Sequence, residues 1–491
     1  MSNPATLAAE VGAFAEKLRY EDLPGDVADR ARHLVLDSVA IAHASTAFEF
    51  AQRAVAGLAT FETGDCPVIG MRQRLPVRDA AFLNGILVHG LDFDDTHTAG
   101  IVHATASAFP AALAAGILND SSARDVLTAY VLAVEVAARV GMAAQGRFHD
   151  VGFHPTGVAG AFGAAVAAAK LAGLDAAGIA TAQGVAGSMA AGLLEFLDDG
   201  SWTKRQHPGW AAVSGLTAAA LSGAGWVGPP AVYEGRFGLY ATHLPGIESD
   251  VDAVSRDLGS VWELNATAVK PYPSCHFTHA FIDLTLELLA EAGAAATDID
   301  RIRCRIHPIP GKVVCEPVAN KRRPASDYDA KFSLAYLVAA AAVRGRLTLT
   351  ELEPDALADP EILGVCDRVE VSDDTDSAFP DAYSGYVEII LKDGRSLARR
   401  EQVNRGHQER PLTNDEITEK FRATMGTVAD DQTTDRVYDA VMALGTTAGV
   451  RGIAEQLRAR SEVPPSPGGN GKPDGGTALS GHRDLSHRAN Q

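Results

Sequence analysis

Asn84 to Pro110 reads NGILVHGLDFDDTHTAGIVHATASAFP, and the rest of the chain falls into place around it. The stretch sets three histidines (His89, His97, His103) and three aspartates (Asp92, Asp94, Asp95) in apolar, Ala-rich surroundings. Charged side chains are costly to desolvate unless they are paired, so such a cluster beside buried helices marks a functional or pairing site. Alone, it is compatible with a metal site, an acid–base site or a polar plug between helices. Just before it, Pro76 to His89 reads as a helix. After it, from Ala104 to Gly192, helix follows helix in a texture of Ala, Gly, Leu and Val, which predicts a compact all-helical body.

Further out the same pattern holds. Leu7, Val11, Phe14 and Leu18 fall at helical spacing, and Pro24 with Asp26 opens a second amphipathic helix. Cys66 to Met71 reads as a short extended piece. A polar break at Gly152-Phe153-His154-Pro155-Thr156-Gly157 separates two helices: Pro155 keeps His154 extended, and Thr156 or a neighbour is the expected cap. A second break, Leu197 to Trp210 (LDDGSWTKRQHPGW), reads as a Gly-flanked basic loop carrying Lys204, Arg205 and His207.

After Leu264 the texture changes. Arg301 to Ile306 alternates, Arg368 to Val371 reads as a strand, and Tyr386 to Gln402 reads as a hairpin around Asp393-Gly394. Helices are expected over Phe277 to Ala292 and Asp329 to Val343. From Asn414 to about Arg460 the chain is helical again. The fold class is therefore mainly α: an all-helical domain over 1–264 completed by 405–460, a smaller α+β lid over 265–404, and a disordered tail over 461–491, rich in Pro, Gly, Ser and Asn.

Composition narrows the function. The 491 residues suffice for two or three domains, and 46% hydrophobic with 21% charged residues fits a soluble globular protein. A net charge of −19 disfavours nucleic acid and anionic membranes as partners. Five cysteines without a CxxC pair, and an N-terminus without a secretory pattern, fit a reducing cytoplasm. No run reads as a membrane span; the most apolar region, Gly157 to Leu197, is broken by Lys170 and Asp175.

P-loop, HExxH, GxSxG and EF-hand patterns are absent. Gly157, Gly160 and Gly163 have GxxGxxG spacing after a loop, which fits helix packing better than a dinucleotide site. The Asp/His cluster holds enough donors for a divalent ion, but short acidic clusters more often cap helices or pair with Arg and Lys, the reading preferred for Asp94 and Asp95. A remote alternative is a magnesium-dependent prenyl-type enzyme, which needs a second acidic motif. Asp430, Asp431 and Asp435 are available for it but read as a surface helix start. The basic groups at Lys204-Arg205-His207 and at Lys270, in KPYPSCH, run against the acidic background. With the histidines they suit a pocket for a small polycarboxylate, gripped by Lys and Arg and worked on by His.

DFDDTH followed by His103, GFHPTG, GSWTKRQHPGWAA and KPYPSCHFTH, in this order, resemble the MmgE/PrpD family. DAKFSLAY (Asp329 to Tyr336) and the later Lys420-Phe421-Arg422 helix agree, so the resemblance runs from Leu7 to Leu457. That family includes 2-methylcitrate dehydratase, cis-aconitate decarboxylase and an iminodisuccinate epimerase. The resemblance implies a helical domain with a lid, a cleft site, a homodimer, and neither metal nor organic cofactor. It implies catalytic roles for Asp92, Thr96, His103, His154 and Lys204, with Lys270 reaching in from the lid and His97, Arg205 and His207 as substrate-binding neighbours. The expected chemistry is a cofactor-free lyase moving a proton next to a carboxylate of a small di- or tricarboxylic acid. Dehydration is placed ahead of decarboxylation, and epimerisation of a related acid is the alternative. Two positions depart from the dehydratase pattern: Asp94 stands where Asn is usual, and Ala104 rather than Pro follows His103.

Overall fold

A computed structural model describes residues 5–380 and 382–459, so the tail expected over 461–491 lies outside the described residues. The chain is mainly helical. Its buried apolar side chains form two separate clusters, one in the helical body and one under a four-stranded sheet.

The body is built around the helix Pro155–Leu171, which packs against Ala104–Leu118, Ala123–Ala143 and Thr203–Gly223. Close packing follows from small side chains. A β-carbon at Gly157 would collide with the Ala191 carbonyl, one at Gly160 with Ser107, and one at Gly163 with the Ala133 carbonyl. The GxxGxxG spacing therefore serves close packing, against one loop and two helices. By length and composition Ala123–Ala143 is apolar enough to cross a membrane, yet it lies buried within this body. The C-terminal helices return to it: Asn414–Met425 lies on Gly25–Ser45 and contributes Ile417, Phe421 and Met425 to the same apolar cluster.

The sheet has the order Val369–Asp373, Ile299–Ile306, Gly385–Leu391, Ser396–Glu401, with the first pair parallel and the others antiparallel. Ile302, Cys304 and Ile306 point to the helices behind it, as the alternation predicts, and Ile299 joins them through a bulge between Ile299 and Arg301. Two expectations need correction. Asp329 to Val343 is not one helix: Asp327–Ala330 ends before Lys331, and Ser333 caps a second helix, Leu334–Arg344, by accepting the Tyr336 N–H. The Leu197 to Trp210 break is not a loop throughout, because Thr203–Gly223 is one helix with Pro208 in its second turn. Proline there leaves only the Lys204 carbonyl without an intrahelical partner, a cost a long, well-packed helix tolerates.

Candidate active site

The helix Val77–His89 ends against a turn, Gly90 to Asp95, on which the site is built. Asp92 sits there with φ +52°, a left-handed conformation that Asp tolerates better than most residues. Four consecutive carbonyls of the turn each accept a hydrogen bond from a buried cation, and each cation comes from a different part of the chain. Arg205 Nε binds the Gly90 carbonyl at 2.8 Å and Lys331 Nζ that of Leu91 at 2.8 Å. Lys270 Nζ binds the Asp92 carbonyl at 2.8 Å and Lys420 Nζ that of Phe93 at 2.9 Å. Cations are favoured beside the negative end of a helix dipole, and here they also satisfy carbonyls that the turn leaves unpaired.

The Asp92 side chain is buried between the charges of Lys270 and of a further cation, Lys204. Its Oδ1 accepts from Lys204 Nζ, and Lys270 Nζ lies 3.4 Å from Oδ2. Burial opposes the carboxylate, but Lys204 and Lys270 outweigh it and hold the group well below the usual carboxylate range. Burial likewise opposes the Lys204 ammonium, and Asp92 more than compensates, so Lys204 stays charged. The ammonium stands 5.2 Å from the centre of the Phe332 ring.

His103 precedes the helix Ala104–Leu118. Its Nδ1 lies 2.8 Å from the Asp95 carbonyl, which can only accept; Nδ1 therefore carries the proton and Nε2 the lone pair. Burial drives its pKa well below that of a free histidine, with Asp94, 3.7 Å from Nδ1, opposing, so the ring is neutral in the empty site. Thr156 does not cap its own helix; its hydroxyl accepts the His103 backbone N–H at 3.1 Å, fixing the ring's base. Thr96 Oγ1 lies 3.3 Å from the same Nδ1. His154 and His207 share a hydrogen bond between their Nδ1 atoms at 3.0 Å. Burial keeps both neutral, His207 at about 4 and His154 well below its ordinary value.

Asp94 and Asp95 are scaffolding, as expected. Asp94 accepts from His89 Nδ1 at 2.8 Å; burial opposes its charge, but His89 and His103 bring it to about 2. Asp95 caps the Ala104–Leu118 helix by accepting the Thr105 N–H at 3.3 Å and the Thr105 hydroxyl, and burial pushes its carboxyl up to about 7.

A cavity of about 720 Å³ opens between body and lid, and Asp92, Thr96, His103, His154, Lys204 and Lys270 all line it. The four polar breaks of the sequence converge on one cleft. Three expected neighbours stand outside its lining. His97 is bound to Glu263 at 3.1 Å and pairs the Thr96–His97 strand with Thr267–Ala268. Arg205 is sandwiched between the rings of Phe50 and Tyr328, 4.2 and 4.1 Å from their centres. His207 touches His154 instead. These three hold other residues in place and do not line the cavity.

His276 belongs to the KPYPSCH motif but is not among the residues that the motif's reading singles out. It lines the cavity, with Nε2 2.8 Å from the Asn404 amide nitrogen. With Nε2 accepting, the proton sits on Nδ1, which is buried and has no partner among the described residues. Burial keeps this ring neutral. The rigid Pro271 and Pro273 approach was the available signal. His149, which also lines the cavity, has no comparable signal in the sequence.

The arrangement does not suit a cation. His89, His103 and His154, or His89, Asp92 and Asp94, each bring three donor atoms within 4.8 Å of one another. Yet Asp92 is already engaged by two lysines and Asp94 by His89, so an added ion would meet ammonium groups. The prenyl-type alternative lacks its second acidic motif: Asp430 caps an exposed helix start and Asp435 pairs with Arg422 on the surface at 2.8 Å.

The MmgE/PrpD N-terminal domain matches residues 9–251 and the MmgE/PrpD C-terminal domain matches residues 272–444. A cis-aconitate decarboxylase-like protein, oryM, of Aspergillus oryzae is 29% identical, covering 90% of this chain and 95% of its own length. A cis-aconitate decarboxylase of Aspergillus terreus is 27% identical over 93% of this chain and 96% of its own. The human cis-aconitate decarboxylase is 31% identical over 71% and 73%.

Proposed function

The chain belongs to the MmgE/PrpD family, and on that premise we propose that it is a lyase releasing carbon dioxide from a small unsaturated tricarboxylic acid of the cis-aconitate kind. The observation that carries this reading is the convergence of Lys204 and Lys270 on Asp92, with neutral His103 and His154 lining the same cleft. Two ammonium groups suit carboxylates, and the buried surroundings strengthen each contact. The names of the relatives favour decarboxylation over the dehydration expected from the motifs.

In the proposed step, the bond from carbon to one terminal carboxylate breaks and its electron pair forms a new alkene. The electrons of the old alkene move to the carbon beside another carboxylate and spread onto its oxygens. Lys204 and Lys270 stabilise that charge, and a proton on His103 Nε2 ends the reaction on carbon. Free His103 is neutral, so the proton must arrive with substrate. Adding carboxylates beside a buried imidazole raises its pKa, which supplies the means. Binding therefore takes up a proton, and kcat/KM falls as pH rises.

The test is proton NMR in deuterium oxide with cis-aconitate and a citrate panel, beside His103→Ala. Carbon dioxide release with one deuterium placed in the product, abolished in a folded His103→Ala protein, is expected. Water loss from a citrate without carbon dioxide would replace this reading by dehydration. Exchange of the α-proton alone would replace it by epimerisation.

A further inference from the structure

Asp94 helps to hold the turn beside Asp92, and its charge is matched as no other here is. The carboxyl groups of Asp37, Asp92, Asp94 and Asp95 are all buried around this turn. Asp92 is paired with Lys204 and Lys270, and Asp37, on the helix Gly25–Ser45, with Lys420 at 2.8 Å. Asp95 rests on the Thr105 hydroxyl and N–H. Asp94 is left with histidines. Its Oδ2 lies 2.8 Å from His89 Nδ1 and 3.7 Å from His103 Nδ1, and its Oδ1 has no partner among the described residues.

Resting on the lyase reading above, we propose that Asp94 is the fixed counter-charge that lets His103 take up its proton when substrate binds. His89, which lies behind the cavity wall, is the positioning residue that aims Asp94 at it. One carboxylate oxygen serves both rings, whose centres stand 4.7 Å apart. His89 is fully buried and donates to that oxygen through Nδ1. A second N–H, on its Nε2, would be buried with nothing among the described residues to accept it. The Asp94 charge is therefore left for the other ring.

The rest of the surroundings do not supply that charge. Lys204, from the body, and Lys270, from the lid, repel a proton on His103, while Asp92 between them attracts it. His154 and His276 face the ring uncharged, and Lys420 is matched by Asp37. Two ammonium groups against one carboxylate leave His103 in a positive field, and Asp94 makes the count even. In the step on carbon, the His103 Nε2–H bond breaks and its electron pair returns to the ring. The electron pair on the substrate carbon forms the new C–H bond with that proton. Asp94 takes no proton and stays charged throughout, and Nδ1 keeps its hydrogen on the Asp95 carbonyl.

The experiment follows kcat for carbon dioxide release from cis-aconitate by the full chain across pH. In parallel, nitrogen NMR titrates His103 in the complex with tricarballylate, the saturated and unreactive acid. Asp94→Asn keeps an acceptor for His89 and removes the charge. Both midpoints are expected to move down by at least about one pH unit, with KM changed less than about threefold. His89→Leu removes the competing donor and leaves His103 as the only donor near Asp94, so both midpoints are expected to move up. His89→Asn, whose amide can stand in for Nδ1, is expected to restore them. A lower kcat in folded Asp94→Asn with both midpoints unmoved marks a merely structural role and overturns the proposal. Should Asp94→Asn fail to fold, unmoved midpoints in His89→Leu overturn it instead. Wild-type protein that releases no carbon dioxide overturns the lyase reading, and the nitrogen midpoints then decide on the counter-charge by themselves.

Discussion

Two polar interruptions of the helical body, one acidic and one basic in sequence, behave oppositely in the fold. Gly90 to Asp95 stays a turn and offers its backbone: four carbonyls in a row face buried cations. Thr203 to Trp210 is absorbed into a helix and offers side chains, among them Lys204 on Asp92 and Arg205 on the Gly90 carbonyl. One break is acceptor, the other donor. The acidic appearance of the first therefore says less about metals than about where the lysines of the rest of the chain are needed.

The largest break in this relation comes from removing its centre. Asp92→Ala leaves two buried ammonium groups unpaired and is expected to lower stability by about 3–5 kcal/mol in urea unfolding, with turnover lost. Adding Lys204→Met should restore part of that stability; strict additivity of the two losses would show that they do not act as a pair. Next is Lys331, which is buried and binds the Leu91 carbonyl without lining the cavity. Lys331→Met is expected to cut kcat about 10- to 100-fold through displacement of Asp92, while KM moves less than threefold and Lys331→Arg recovers part. An unchanged kcat in a folded Lys331→Met protein would free the turn from its lid-borne support.

Smaller effects sharpen the donor side. Arg205→Lys keeps the charge but loses the planar group between Phe50 and Tyr328, so a stability loss of about 1–2 kcal/mol is expected in thermal unfolding. Smallest is a slope. His207 has a folded pKa of about 4 against about 6.5 unfolded. Between these values the unfolded chain binds the proton and the folded one does not, so stability rises with pH across that window. His207→Asn should remove up to about 1.4 kcal/mol per pH unit of that slope, read from urea midpoints between pH 4 and 6.5.

Much of this was legible in the chain because the signals are local. Periodicity marked the helices, alternation marked Ile299–Ile306, and Asp393-Gly394 marked the hairpin. The six residues that line the cavity in common were named because each sits in a motif that interrupts an apolar helix. What was not legible depends on distant partners. Nothing near His207 reveals that its ring faces His154 rather than substrate, and nothing near Lys420 reveals that its ammonium reaches the Phe93 carbonyl. Pro208 and Gly209 read locally as a loop, and only packing against the Val77–His89 helix shows that they belong to one. Ser333 is similar: its cap splits a helix that composition alone runs through.

The row of held carbonyls has a consequence for how the protein comes into being. Its donors stand at positions 205, 270, 331 and 420, so the turn at 90–93 leaves the ribosome long before anything that fixes it. A nascent or truncated chain can bury its first helices and still lack the site. The turn therefore has all its partners only once the segments that carry Arg205, Lys270, Lys331 and Lys420 have been made and have closed on it.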